Sequence, residues 1–297
     1  MDFTFYAVNL FLAVMNLIVT AAGAGPASRH LPVAAAFILA CLLPTLLTLL
    51  EDRVGARVRA PWLRRLLRFL RVFYIHAFYG PYFAEVILLS QAVWGGASLD
   101  PALVALEEAL FGFQPAVAFP AALSHLPAVN ELFFFGYFSY YLIITTGFWI
   151  MFARGYEAAA ERAAFVTITS FAVLYVMYVF VPVHGPKYFF ESLNEIWYRD
   201  FEGYLFVPFM RAVFDRMNLA GAALPSSHVA ISLIALLEIR RHLPRLFRLY
   251  AVFFVLLCPA TVYIYAHYAV DVVAGLLVVP PLLWIARRIY RRIAAPR

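Results

Sequence analysis

Residues 224–239 read LPSSHVAISLIALLEI and residues 267–277 read HYAVDVVAGLL, and these two stretches decide how the chain is built. Each sets a histidine at the edge of an almost wholly apolar run, and the second adds a carboxylate, Asp271. An Asp near the middle of a membrane helix costs roughly 2.5–3.5 kcal/mol on insertion scales, so ionisable residues in such runs are functional candidates. Residues four apart share a helix face, so Asp271 is expected to accept a hydrogen bond from one ring nitrogen of His267 and leave the other free. A histidine oriented in this way is suited to act as nucleophile or base, and His228 is the natural second histidine to protonate a leaving group. Pro225 suits the first turn of a helix. Behind it, the amides and hydroxyls of Ser226 and Ser227 are expected to face an anion at the positive end of the helix dipole, and phosphate fits that cradle.

Outward from these stretches the chain is membrane. With 65% hydrophobic and 13% charged residues over 297 positions, it reads as one polytopic, all-α membrane domain, not a soluble globule. Apolar runs at 5–22, 31–50, 72–94, 132–152, 164–181, 225–239, 250–265 and 268–285 give about eight spans. Residues 1–71 form an N-terminal pair of spans with a basic segment, and 72–297 the helical core, with the motifs inside 182–275. The first run has Asp2 where a signal peptide has a basic region, so it reads as an uncleaved span.

The net charge of +6 comes from arginines grouped at 53–71, 154–162, 240–248 and 287–297. That is a positive-inside pattern, not a nucleic-acid patch. It puts both termini in the cytoplasm and gathers Lys187, His228 and His267 at the extracytoplasmic face. Leu63, Leu66, Leu67 and Leu70 repeat at helical spacing opposite Arg64, Arg68 and Arg71, which describes an amphipathic surface helix or a topology-setting loop. Glu85 is expected to be paired within the bundle. Asp100 and Pro101 start a short helix along the outer surface, with Leu103, Leu106, Leu110 and Phe111 as its apolar stripe. Tyr188, Phe189, Phe190, Trp197, Tyr198 and Tyr204 read as an aromatic belt at headgroup level. Cys41 and Cys258 both fall inside spans, and no Asp/Glu or Cys/His cluster has metal-ligand spacing, so neither a disulfide framework, a metal nor another cofactor is expected.

The motifs resemble the type 2 phosphatidic acid phosphatase superfamily. The matching elements are Pro225-Ser226-Ser227-His228, the His267-x3-Asp271 pair followed by Gly275, and Gly185-Pro186-Lys187, within about residues 165–290. Through the Gly-Pro-Lys element and the His-Tyr-x-x-Asp-x-x-x-Gly run, the chain is most similar to the inositolphosphotransferase branch, which includes inositol phosphorylceramide synthases. The Ser-Arg pair of the phosphatase branch is replaced by Ala260-Thr261. The resemblance implies a six-helix core and metal-independent chemistry on a membrane lipid through a phosphohistidine. His267 attacks phosphorus, Asp271 holds its ring, and His228 protonates the leaving oxygen and then activates the acceptor. Lys187, Gly185, Ser226 and Ser227 bind the phosphate. An alcohol or polyol acceptor makes the protein a phosphotransferase of a bacterial inner or plasma membrane, and water makes it a lipid phosphate phosphatase. The readings from other classes are a lipid transporter or scramblase with a proton relay, and a haem-binding protein with axial imidazoles.

Overall fold

The computed structural model describes residues 1–57, 60–199, 201–216 and 219–294, and among these it is helical throughout with no strand. The helices are α1 (Asp2–Ala21), α2 (Ala27–Ala40), α3 (Leu43–Arg57), α4 (Pro61–Phe73), α5 (Tyr79–Trp94), α6 (Asp100–Phe111), α7 (Pro115–Leu123) and α8 (Pro127–Ala153). There follow α9 (Glu157–Phe180), α10 (Pro186–Phe189), α11 (Glu191–Arg199), α12 (Phe206–Arg216), α13 (Ser227–Ile239), α14 (Pro244–Tyr263), α15 (Ala269–Leu277) and α16 (Val279–Ala294). Proline stands in the first turn of α4, α6, α7, α8, α10 and α14, where its missing N–H costs no hydrogen bond.

Seven helical stretches among the described residues are long and apolar enough to cross a membrane: α1, α2–α3, α4–α5, α8, α9, α14 and α15–α16. The thirteen-residue α13, expected as a span, is apolar but only roughly 20 Å long at 1.5 Å per residue, so seven stretches of spanning length stand against the expected eight. The bundle is organised around α8, α9, α13 and α14. Helix α9 is 72% buried over its most apolar window and α2–α3 only 11%, so α9 belongs to the core and α2–α3 lies on its outside. Helices α6 and α7 meet at 68° beside the bundle.

The two ends of the bundle differ. At one end arginines tie helices together: Arg71 to Asp2, Arg65 to the last carbonyls of α8 at Phe152 and Ala153 (2.9 and 2.7 Å), and Arg162 and Arg287 to the buried Glu238 (3.1 and 2.6 Å). A guanidinium at a helix C-terminus also meets the negative end of the dipole. Of the two readings of the basic segment the structure has the helix: α4 is amphipathic, with Trp62, Leu66 and Leu70 exposed. Glu85 pairs with Arg29 (3.1 Å) and accepts from Asn16 (3.0 Å), inside the bundle. The other end carries His228 and His267.

Candidate active site

The start of α13 and the start of α15 are pressed together. The Ser226 amide donates to the Asp271 carbonyl (3.1 Å), and the Tyr178 hydroxyl on α9 donates to the Pro225 carbonyl (2.7 Å). Gly275 makes this approach possible, because a Cβ there would stand 2.8 Å from the Ser226 carbonyl oxygen. Gly275→Ala is therefore expected to push α15 off α13 and lower stability by about 1–3 kcal/mol, read as a drop in melting temperature in detergent. An unchanged melting temperature would contradict the contact.

This packing brings two imidazoles into direct contact. His228 Nδ1 and His267 Nε2 are 3.0 Å apart. On its other side His267 Nδ1 lies 2.9 Å from the Ala223 carbonyl and 3.4 Å from Asp271 Oδ2. A carbonyl can only accept, so Nδ1 carries the proton, Nε2 presents its lone pair, and His228 Nδ1 is the donor between the rings. The His228 ring is flanked by Tyr137 and Tyr140, with ring centres at 4.6 and 4.5 Å.

The His267–Asp271 pair forms differently from the expectation of two residues on one helix. Helix α15 begins only at Ala269 with Tyr268 as its N-cap, so His267 lies ahead of it. Asp271 Oδ2 turns back to accept from the Tyr268 amide at 2.9 Å, nearer than the imidazole. The tightest hold on the His267 ring is thus the Ala223 carbonyl. No side-chain motif signals a backbone carbonyl, and a sequence reading misses it.

Two residues expected to face a phosphate have their amides committed elsewhere. That of Ser226 is bound to Asp271, and its hydroxyl caps α13 by accepting from Val229 (3.4 Å). That of Gly185 donates to Asp100 Oδ1 (2.9 Å). Gly185 has φ +91°, and a Cβ there would meet the Ala266 carbonyl oxygen at 2.9 Å, so it supplies a close approach instead of a donor. Ser227 opens α13, and its amide and hydroxyl meet the Tyr178 hydroxyl, so of these two residues His228 keeps its amide at the positive end of the helix.

Lys187 is buried at the same end, its amide bound to the Tyr265 carbonyl two residues before His267 (2.9 Å). Its ammonium is boxed by the rings of Trp197 (4.8 Å), Phe214 (5.0 Å) and Tyr188 (5.3 Å). Burial pulls that ammonium down to about 8, against the opposing pull of the Asp215 carboxylate. Trp197 is fully buried against Phe134, Phe201 and Phe214, so it is core and not part of a headgroup belt; Tyr204 is 77% exposed and fits the belt. The side chain of Tyr198 lies outside the described residues. Thr261, in place of the phosphatase arginine, donates to its own helix at the Cys258 carbonyl (2.8 Å).

Asp100 and Glu107 are the residues sequence reading left out of the site. Both are fully buried. Asp100 accepts from the amides of His184 (2.7 Å) and Gly185 (2.9 Å) and from the Tyr268 hydroxyl (2.9 Å), and Glu107 from the Val270 amide (3.1 Å). Their signal was present as two acids seven apart with Leu103 between them on one face. Of the expected apolar stripe, Leu103 is buried with them, while Leu106, Leu110 and Phe111 are exposed, as suits a face turned to lipid.

A helical membrane bundle with paired imidazoles, a cation and a helix N-terminus at one end defines an integral-membrane protein equipped for phosphate chemistry. The family model of the PAP2 superfamily matches residues 101–285, which spans the site from α6 through α16, and the chain belongs to that superfamily, whose members are phosphatases and phosphotransferases of lipid phosphates. No curated protein and no solved structure matches it.

Proposed function

We propose that the protein is a lipid phosphotransferase that moves a phosphoryl or phospho-headgroup from a lipid donor to an alcohol or polyol through a phosphohistidine, in the manner of the inositolphosphotransferase branch. The carrying observation is the contact of His228 Nδ1 with His267 Nε2, whose other ring nitrogen is fixed by an acceptor. In the first step the Nε2 lone pair of His267 bonds to phosphorus, the bond from phosphorus to the leaving oxygen breaks, and that oxygen takes the Nδ1 proton of the His228 imidazolium, which is left neutral. In the second step His228 Nδ1 removes the acceptor's proton while the acceptor oxygen displaces Nε2 from phosphorus. Ala223 and Asp271 stabilise the charge that develops on the His267 ring. Rings 3.0 Å apart leave no room for a phosphoryl group, so the substrate separates them on binding.

Lys187 and the His228 amide in the first turn of α13 hold the phosphoryl oxygens. With Ala260-Thr261 replacing the phosphatase pair and Thr261 bonded to its own helix, Lys187 is the cation on which phosphate binding depends. Above its pKa it loses its charge, so kcat/KM is expected to fall as pH rises through about 8. A profile flat to pH 10 would remove Lys187 from this role. The active site faces the extracytoplasmic side with both termini cytoplasmic, a topology supported by the arginines gathered at the opposite end of the bundle.

The deciding experiment supplies a labelled lipid phosphate donor, with and without inositol and other polyols, and separates the products by chromatography. A new headgroup-bearing lipid supports the transferase; free phosphate alone rejects it in favour of a lipid phosphate phosphatase. Movement of intact lipid between leaflets without bond cleavage rejects both in favour of a transporter or scramblase.

A further inference from the structure

Helix α6 turns a polar face inward and an apolar one outward. Asp100, Leu103 and Glu107 are buried, while Leu106, Leu110 and Phe111 are exposed. Burying two carboxylates is costly unless their oxygens are satisfied. Asp100 has three donors, drawn from two segments far apart in sequence: the 184–185 turn that leads into Lys187, and Tyr268, the residue after His267. Glu107, two turns along the same face, accepts from Val270 in the first turn of α15, the turn that also carries Asp271. Leu103 packs with Val183, Ala223 and Tyr268 between the two acids, and Ala223 is the residue whose carbonyl fixes His267.

We infer that α6 is a positioning clamp for phosphoryl transfer: Asp100 sets the distance between the Lys187 turn and the nucleophile, and Glu107 holds the start of the helix that carries Asp271. The inference rests on the reading above that His267 is the nucleophile. Neither acid touches the reacting atoms. Shape alone does not replace them, because an amide in place of the Asp100 carboxylate turns an NH2 group toward backbone N–H donors. The clamp joins the cation and the nucleophile through rigid hydrogen bonds, so loosening it slows the chemical step more than it weakens substrate binding. A misplacement of about 1 Å costs on the order of 100-fold in rate.

The test uses the full chain in detergent with a short-chain phosphatidate as donor. It follows the rate constant and final extent of His267 phosphorylation together with kcat, KM and amide exchange at residues 184, 185 and 270. Tyr268→Phe, which removes one hydroxyl, is expected to slow phosphorylation by about 10-fold and Asp100→Asn by about 100-fold, with KM little changed and the final extent equal to wild type. The double variant is expected to be no more than about twofold slower than Asp100→Asn alone, since both break the same link. Exchange quickens at residues 184 and 185 in Asp100→Asn and at residue 270 in Glu107→Gln. Wild-type rate constants in Tyr268→Phe and Asp100→Asn, or a reduced extent at an unchanged rate constant, would overturn the clamp, as would unchanged exchange at all three amides. If the wild-type protein takes no label on His267, the phosphohistidine reading fails by itself, and amide exchange still decides whether α6 holds the two segments.

Discussion

His267→Ala is expected to lose the covalent adduct altogether and to reduce turnover by about 10⁴-fold or more, since removing a nucleophile removes the whole two-step route. The geometry makes the choice of nucleophile specific. Of the two imidazoles in contact, only His267 has its far nitrogen held by acceptors, the Ala223 carbonyl at 2.9 Å and Asp271 at 3.4 Å, so only its Nε2 has a fixed lone pair. Intact-protein mass measurement after brief exposure to a short-chain phosphatidate reads the adduct directly, and acid lability identifies a phosphorus–nitrogen bond. His267→Asn is the companion variant, because its side-chain NH2 still donates to Ala223 and guards against simple unfolding. An adduct that persists in both variants, or that maps to His228, would reverse the assignment.

His228→Ala is expected to lower turnover by about 10²–10⁴-fold, with the loss divided between the two steps according to the leaving group. A lipid alkoxide needs the proton from His228 Nδ1, so with phosphatidate the first step slows. A nitrophenyl phosphate ester leaves without a proton, so with that donor the first step proceeds and the second stalls for want of a base. With an acceptor alcohol present, the phosphoenzyme then accumulates toward one per chain, where wild type shows only a transient. Tyr137 and Tyr140 pack against the ring at 4.6 and 4.5 Å, so His228→Gln, which fills more of that space than alanine, serves as the better-filled control. Turnover at the wild-type rate in both variants, with no accumulation, would remove His228 from proton transfer.

Much of this was legible along the chain. Apolar runs of spanning length specified the helices, because a bilayer leaves a backbone no other way to satisfy its amides and carbonyls. Among the described residues α13 falls short of spanning length, and the structure places it at the centre of the bundle. The imidazoles stood out because titratable groups are rare in such runs. What stayed hidden were partners that carry no motif. The Ala223 carbonyl is backbone, and Trp197 looks the same in sequence whether it belts a membrane or boxes a lysine. Asp100 stood in the sequence only as the start of a short surface helix, and Glu107 carried no motif.

The sequence by itself determined an all-helical membrane chain and singled out His228, His267 and Asp271 as candidates for its chemistry, since hydropathy and the type of each residue are local properties. Only the tertiary structure decided that His267 precedes its helix, that a carbonyl outranks Asp271 in holding it, and that the amides of Gly185 and Ser226 are already spent. Those outcomes depend on which backbone groups from distant segments reach hydrogen-bond distance first, and no spacing along one chain encodes that competition.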